Sequence, residues 1–141
     1  MRIKQISIFI ENKTGRLSEI IGIIAENDIN MRALSLAEST NFGILRIITD
    51  DPDKTEKVLK ENEMRYTVNT VLAVLVEDKA GGLAGMLKIL ADNNIEIRYT
   101  YAFIVRHEKA CMILRISEEF RAKAVEILQK AGYGGLISEE V

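Results

Sequence analysis

The sequence has one cysteine, Cys111, one histidine, His107, and one proline, Pro52. A single cysteine rules out an intrachain disulfide. One cysteine with one histidine leaves no ligand set for a dedicated zinc site, so only carboxylates remain, which suit a harder ion. Neither sign of charge dominates: 19 Lys and Arg stand against 21 Asp and Glu, for a formal net charge of −2. The basic excess of a nucleic-acid binder is missing. No apolar run approaches the roughly 18 residues of a membrane helix. Met1-Arg2-Ile3-Lys4 leads straight into a strand pattern with no signal peptide. These absences point to a cytoplasmic chain that meets neither membrane nor nucleic acid. What is present is apolar: 48% of the 141 residues are hydrophobic, enough to build a core and to exclude disorder.

The chain repeats itself. Ile10-Glu11-Asn12-Lys13-Thr14-Gly15-Arg16-Leu17 aligns with Val76-Glu77-Asp78-Lys79-Ala80-Gly81-Gly82-Leu83 at an offset of 66 residues. The match runs without a gap to Ile23–Ile29 against Ile89–Ile95, with Glu11/Glu77, Lys13/Lys79, Gly15/Gly81, Leu17/Leu83, Ile23/Ile89, Ala25/Ala91, Asn27/Asn93 and Ile29/Ile95 identical. Ile44-Leu45-Arg46-Ile47 then matches Ile113-Leu114-Arg115-Ile116 at an offset of 69. The second copy is therefore expected to carry three extra residues in a hairpin around Arg106-His107-Glu108-Lys109. Two such copies are a duplication, not a solenoid array.

Each copy spells the same elements. Ile3 to Ile10 is a β-branched apolar run, hence a buried strand. Leu17, Ile20, Ile21 and Ile24 form the stripe of an amphipathic helix that ends at Asn27-Asp28. Strands are expected at 30–37 and 43–49. A helix then opens with Asp51 as N-cap and Pro52 at its first position, with Val58 and Leu59 inward, and a strand follows at 64–68. In the second copy a strand covers 70–76, the helical stripe is Leu83, Met86, Leu87 and Leu90, and 95–105 and 110–116 form a hairpin. Ser117 caps a helix over 118–131, Gly132 ends it, and 134–138 makes a weak last strand. The copies, 1–69 and 70–141, meet at Val68-Asn69-Thr70 without a Pro, Gly or Ser linker. The connection from 37 to 43 is too short for a parallel crossover, which needs a dozen residues. The fold class is thus α+β: two ferredoxin-like βαββαβ modules with antiparallel sheets, packed as a pseudo-symmetric pair.

A strand ending in Glu-Asn-Lys-Thr-Gly-Arg-Leu, an amphipathic helix, and Asn27-Asp28-Ile29-Asn30 opening the next strand resemble an ACT domain. So do Glu77-Asp78-Lys79-Ala80-Gly81-Gly82-Leu83 through Asn94-Ile95-Glu96 in the second copy. Where the family usually has Pro before the Gly, this chain has Thr14 and Ala80. The resemblance implies a tandem pair of regulatory modules that bind small ligands, usually amino acids, at interfaces between paired domains. It also implies that the positions of Asn12 and Asn30, matched by Asp78 and Glu96, contact the ligand.

The residues of the turn support this without the family. Gly15 permits a backbone closed to residues with a Cβ. It stands directly before a helix whose first amides lack internal partners and favour an anion such as a carboxylate. The alternative is that Gly15 and Gly81 only make a tight turn, and that Asn12 and Asn30 do turn and cap chemistry. The candidate site is Asn12, Lys13, Thr14, Gly15, Arg16, Leu17 and Asn30 in one copy, and Asp78, Gly81, Gly82, Leu83 and Glu96 in the other. An Asn amide both donates and accepts, whereas the carboxylates of Asp78 and Glu96 favour an ammonium, so the two turns are not equivalent. Tyr99, Tyr101 and Phe103 alternate on one strand face and read as packing. His107 reads as solvated and Cys111 as a small buried hydrophobe without a nucleophile's partner.

The expectation is a non-catalytic sensor of free amino acids. It needs no cofactor or metal, forms a homodimer, and passes its output to a partner metabolic enzyme. The alternative is a regulatory subunit that acts by protein contact alone.

Overall fold

The computed structural model describes residues 1–105, 108–137 and 140. Its elements run β1 (Arg2–Glu11), α1 (Arg16–Glu26), β2 (Met31–Glu38), β3 (Phe42–Thr49), α2 (Pro52–Glu61), β4 (Tyr66–Glu77), α3 (Gly82–Asp92), β5 (Ile97–Val105), β6 (Lys109–Ile116) and α4 (Glu118–Lys130). This is the βαββαβ pattern twice, with antiparallel strand pairing throughout. Two compact units divide the chain: Lys4–Asn69, and Thr70–Glu140 together with Met1–Ile3.

In the first unit β3 lies between β2 and β1. Alternation along β1 sends Ile6, Ile8 and Ile10 to one face, where they meet Leu45 and Ile47 of β3, Ile20 and Ile24 of α1, and Val58 and Leu59 of α2. Each such side chain contributes about 1.5–3 kcal/mol by leaving water. On α1 the stripe expected from the sequence is partly rotated: Ile23 joins Leu17 against this core, and Ile21 does not. Asp51 caps α2 as expected, its Oδ1 accepting from the Lys54 amide at 3.0 Å, and Pro52 opens the helix.

In the second unit β6 lies between β4 and β5. Leu72, Val74 and Val76 of β4 pack with Met112, Leu114 and Ile116 of β6, Met86 and Leu90 of α3, and Ala124, Val125 and Leu128 of α4. The opposite face of the same strands is also buried, at Val71, Ala73, Cys111 and Ile113.

Several expectations are corrected. The strands expected at 64–68 and 70–76 are one continuous strand, β4, because no Gly or Pro interrupts Tyr66–Glu77 and Thr67, Val68, Thr70 and Val71, on either side of Asn69, are β-branched residues suited to a strand. The last strand expected at 134–138 is reduced among the described residues to a single bridge between Val74 and Gly135. There the Leu75 amide donates to the Gly134 carbonyl and the Leu136 amide to the Ala73 carbonyl, at 2.9 and 3.1 Å. Met1 holds the neighbouring position, its carbonyl accepting from the Ala73 amide at 2.7 Å, and a Cβ on Gly135 would run into it. Ser117 stands at the start of α4 but makes no side-chain cap; its Oγ accepts from Arg98 Nε at 3.1 Å instead.

Arg106 and His107, where the three extra residues of the second copy are expected, lie outside the described residues. Of the described elements, α4 has 13 residues against 10 in α2. The matching Ile-Leu-Arg-Ile runs also differ in register. Ile6 faces Ile47 in the first unit, and its repeat partner Leu72 faces Leu114, not Ile116. The second run has slipped by two residues, and an even slip leaves every side chain on its original face.

Candidate functional site

Both strand-to-helix turns are built the same way. Gly15 and Gly81 precede α1 and α3 with φ 86° and ψ −11°, the left-handed region that a side chain penalises. Lys13 N donates to the Glu11 carbonyl and Arg16 N to the Lys13 carbonyl, at 2.9 and 3.2 Å. The second copy repeats both bonds, from Lys79 N to Glu77 and from Gly82 N to Lys79, at 2.9 and 3.0 Å. The next fixed amides are Glu19, bonded to Gly15 O, and Gly85, bonded to Gly81 O. Between them the amides of Leu17 and Ser18, and of Leu83 and Ala84, carry no hydrogen bond among the described residues, and neither helix has a side-chain cap. In α2 the equivalent need is met by Asp51. Two uncapped helix starts, each facing solvent through exposed Asn12–Gly15 or Asp78–Gly81, present a positive pole to an anion.

The side chains around the two poles differ. In the first copy Arg16 bends onto Glu19 at 3.0 Å, one helical turn along, and Lys13 lies 3.9 Å from Glu11. In the second, Gly82 and Gly85 replace Arg16 and Glu19, and the first turn of α3 carries no acidic residue. The backbone is closed more tightly there: a Cβ on Gly82 would collide with the Glu77 carbonyl, whereas the first turn accommodates the whole Arg16 side chain. The Tyr133 hydroxyl lies 3.4 Å from where a Cβ on Gly85 would be, so the small residue there makes room for the chain following α4. Sequence comparison marks Gly85 as different from Glu19 but gives no sign that Tyr133 comes near.

Asn12 donates from Nδ2 to the Ser39 carbonyl at 2.8 Å, which ties the turn to the β2–β3 hairpin. Asn30 stands at the other end of its unit. Its amide donates to Asp50 Oδ1, and its carbonyl accepts from the Asp50 amide, both at 3.0 Å. The strands between Asn12 and Asn30 put roughly 20 Å between the two ends. Within one unit, therefore, the structure does not bring Asn30 to the Gly15 turn, nor Glu96, just before β5, to the Gly81 turn.

The repeated Asn27 and Asn93 act as helix stops: each donates Nδ2 to the carbonyl four residues back, Ile23 or Ile89, at 2.8 Å. Tyr99, Tyr101 and Phe103 share one face of β5 and are half-buried. Cys111 is fully buried, and burial pushes its thiol up to about 12. His107 lies outside the described residues. Among the described residues no three of His, Cys, Asp and Glu converge as metal ligands, and no helix is long and apolar enough to cross a membrane.

A family profile described as an ACT domain pair matches residues 1–139. A crystal structure of protein BT0572 from Bacteroides thetaiotaomicron is 36% identical, with a TM-score of 0.91, over 99% of this chain and 95% of that one. The ligand-free regulatory subunit of aspartate kinase from Thermus thermophilus has a TM-score of 0.64 at 15% identity, over 92% of both chains. Its counterpart from Thermus flavus has a TM-score of 0.61 at 13% identity, over 93% of this chain and 95% of that one. At such identities the last two are likenesses of fold. Among curated proteins none matches the sequence.

Proposed function

The chain belongs to the ACT domain pair family, and we propose that it is a regulatory protein that binds a free amino acid at its strand-to-helix turns and performs no catalysis of its own. The observation that carries this reading is the pair of open helix starts behind Gly15 and Gly81, in a protein whose α2 is capped by its own Asp51. A ligand carboxylate fits the amides of Leu17 and Ser18, or of Leu83 and Ala84. The ammonium then falls to a polar or acidic group, and Asn30 and Glu96 are the candidates. Neither belongs to the turn of its own unit, so each is proposed to act at a turn of a second protein molecule in the homodimer. The first turn is proposed as the tighter site, because Asp78 repels an incoming carboxylate and Asn12 does not.

Output passes to a metabolic enzyme, and the protein works in the cytoplasm as a homodimer. The edge strand β2 supports the dimer, leaving Leu34 and Leu36 about half exposed beside a free strand edge. Light scattering of the purified protein checks this.

A second reading has its own support. Arg16 is already paired with Glu19, and the Asn12 amide with Ser39, which suits a protein that acts by contact alone. One experiment separates the two: thermal unfolding in the presence of each standard amino acid. A ligand at 100 times its Kd adds about 2.7 kcal/mol. A clear rise with one amino acid or a related group supports the sensor, and no rise with any supports the contact-only subunit.

A further inference from the structure

We infer that the β2–β3 hairpin of the first copy is a strap fastened by the Asn12 side chain and unfastened when a carboxylate occupies the Gly15 turn, while the corresponding β5–β6 hairpin is permanently fastened. The releasing half of this inference rests on the amino-acid reading of the turn; the fastening half does not.

The two hairpins are tied to their turns by different chemistry. In the second copy the tie is backbone to backbone: the Asp78 amide donates to the Glu108 carbonyl at 2.8 Å. At the matching place in the first copy the Asn12 amide is 3.5 Å from the Asn41 carbonyl, the outer limit of a hydrogen bond. The side chain makes up for it, Nδ2 reaching the Ser39 carbonyl at 2.8 Å. Asp78 has no side-chain donor, so the second copy has no counterpart to this bond.

A backbone amide engaged across a strand end is out of a ligand's reach. A primary amide on an exposed residue three positions before Gly15 is not. A carboxylate drawn to the open amides of Leu17 and Ser18 is a charged acceptor, and charge-assisted hydrogen bonds are roughly twice as strong as neutral ones. It competes for Nδ2 against a neutral carbonyl. Ser39, Thr40, Asn41 and Phe42 are all exposed. The hairpin closes on itself through the Ser39 amide and hydroxyl, both donating to the Phe42 carbonyl, at 2.8 and 3.3 Å, and its Phe42 end is paired with Glu11 of β1. Segments with so few buried contacts open at low cost.

The test is amide hydrogen exchange on the full chain, read at Ser39 and across the β5–β6 hairpin. Asn12→Ala and Asn12→Asp both remove the donor and should speed exchange at Ser39 about fivefold, the equivalent of one net hydrogen bond. The β5–β6 amides serve as the control for global unfolding and should not change. Asp78→Ala should leave both hairpins as they are. Ser39 exchange unchanged in both Asn12 variants overturns the strap. In the wild type, any standard amino acid that raises the melting temperature should speed Ser39 exchange in the same way. Binding with unchanged exchange at Ser39 overturns the release. If the variants loosen the hairpin but no amino acid binds, the fastening stands, and both the release and the amino-acid reading fall.

Discussion

Between β1 and α1 the chain places Asn12, Arg16 and Glu19; between β4 and α3 the same backbone positions hold Asp78, Gly82 and Gly85. The glycine torsions are identical and the turn hydrogen bonds pair off one for one. A left-handed residue and two local hydrogen bonds thus determine the turn, and the side chains are free to diverge upon it. The first copy surrounds its helix start with paired charges and a side-chain tie to the hairpin. The second is stripped to glycine, closed tighter and tied by backbone. One turn carries polar side chains with bonds of their own, and the other offers little besides its amides.

The equivalence of the two scaffolds is open to the hardest blow. Ile24 and Leu90 hold matching places in the two cores and are each 1% exposed. Ile24→Ala and Leu90→Ala should each cost about 2–5 kcal/mol, measured by urea unfolding. A cost below about 1 kcal/mol for one of them would show that its core is packed less closely than its counterpart. Gly15→Val comes next. Nothing lies within 4 Å of an added Cβ, so the positive φ sets the main penalty, roughly 1–3 kcal/mol. The protein should stay folded and lose ligand binding at the first turn. Unchanged affinity in a folded variant removes that turn from the site.

Gly82→Ala and Arg16→Ala sharpen the contrast in closure. The first drives a methyl group against the Glu77 carbonyl and should lower stability by about 1–3 kcal/mol. The second only breaks a half-exposed ion pair with Glu19, worth at most about 1 kcal/mol. Equal melting temperatures for the two would mean that the turns are equally open. For binding, Asn12→Ala should weaken the ligand by about 1–3 kcal/mol and Asp78→Ala should leave it unchanged or tighter. Calorimetry giving the reverse order would move the primary site to the second copy.

The smallest effect belongs to Cys111, whose burial pushes the thiol from 9.0 up to about 12. Below pH 9 it is protonated in both folded and unfolded chains. From there to about 12 the folded protein keeps a proton that the unfolded chain has lost, so stability falls as pH rises. Cys111→Ala should flatten part of that slope, and a thiol reagent at pH 8 should label the native protein only as fast as it unfolds.

The fold was legible because its signals are local and repeated: the period-two run of β1, the helical stripes, Asp51-Pro52, and two glycines one repeat apart. Gly15 and Gly81 could be placed at left-handed turns because few other roles put a lone glycine between a strand and a helix. Internal lengths misled. The matching Ile-Leu-Arg-Ile runs sit two residues apart in register, because an even slip keeps each side chain on its face, so like sequence does not mark like place in the sheet. Tertiary partners left no trace in the sequence. Nothing about Asn12 announces Ser39, and nothing about Gly85 announces Tyr133, since both pairings depend on where distant segments end. Ser117 reads as a cap from its place before α4, but its hydroxyl is taken by Arg98.

Met1–Ile3 belong with Thr70–Glu140, and the Ala73 amide is bonded to the Met1 carbonyl. In the order of synthesis this sets a schedule. The second unit is not contiguous in the chain: the start of β1 leaves the exit tunnel well before Ala73, its partner, and stays unpaired there until Ala73 follows. The Lys4–Asn69 unit has all of its own strands by the time Asn69 appears and can close early. Pairing distant parts of a chain slows folding, so the docking of Met1–Ile3 beside Ala73 is expected to follow the closing of Lys4–Asn69.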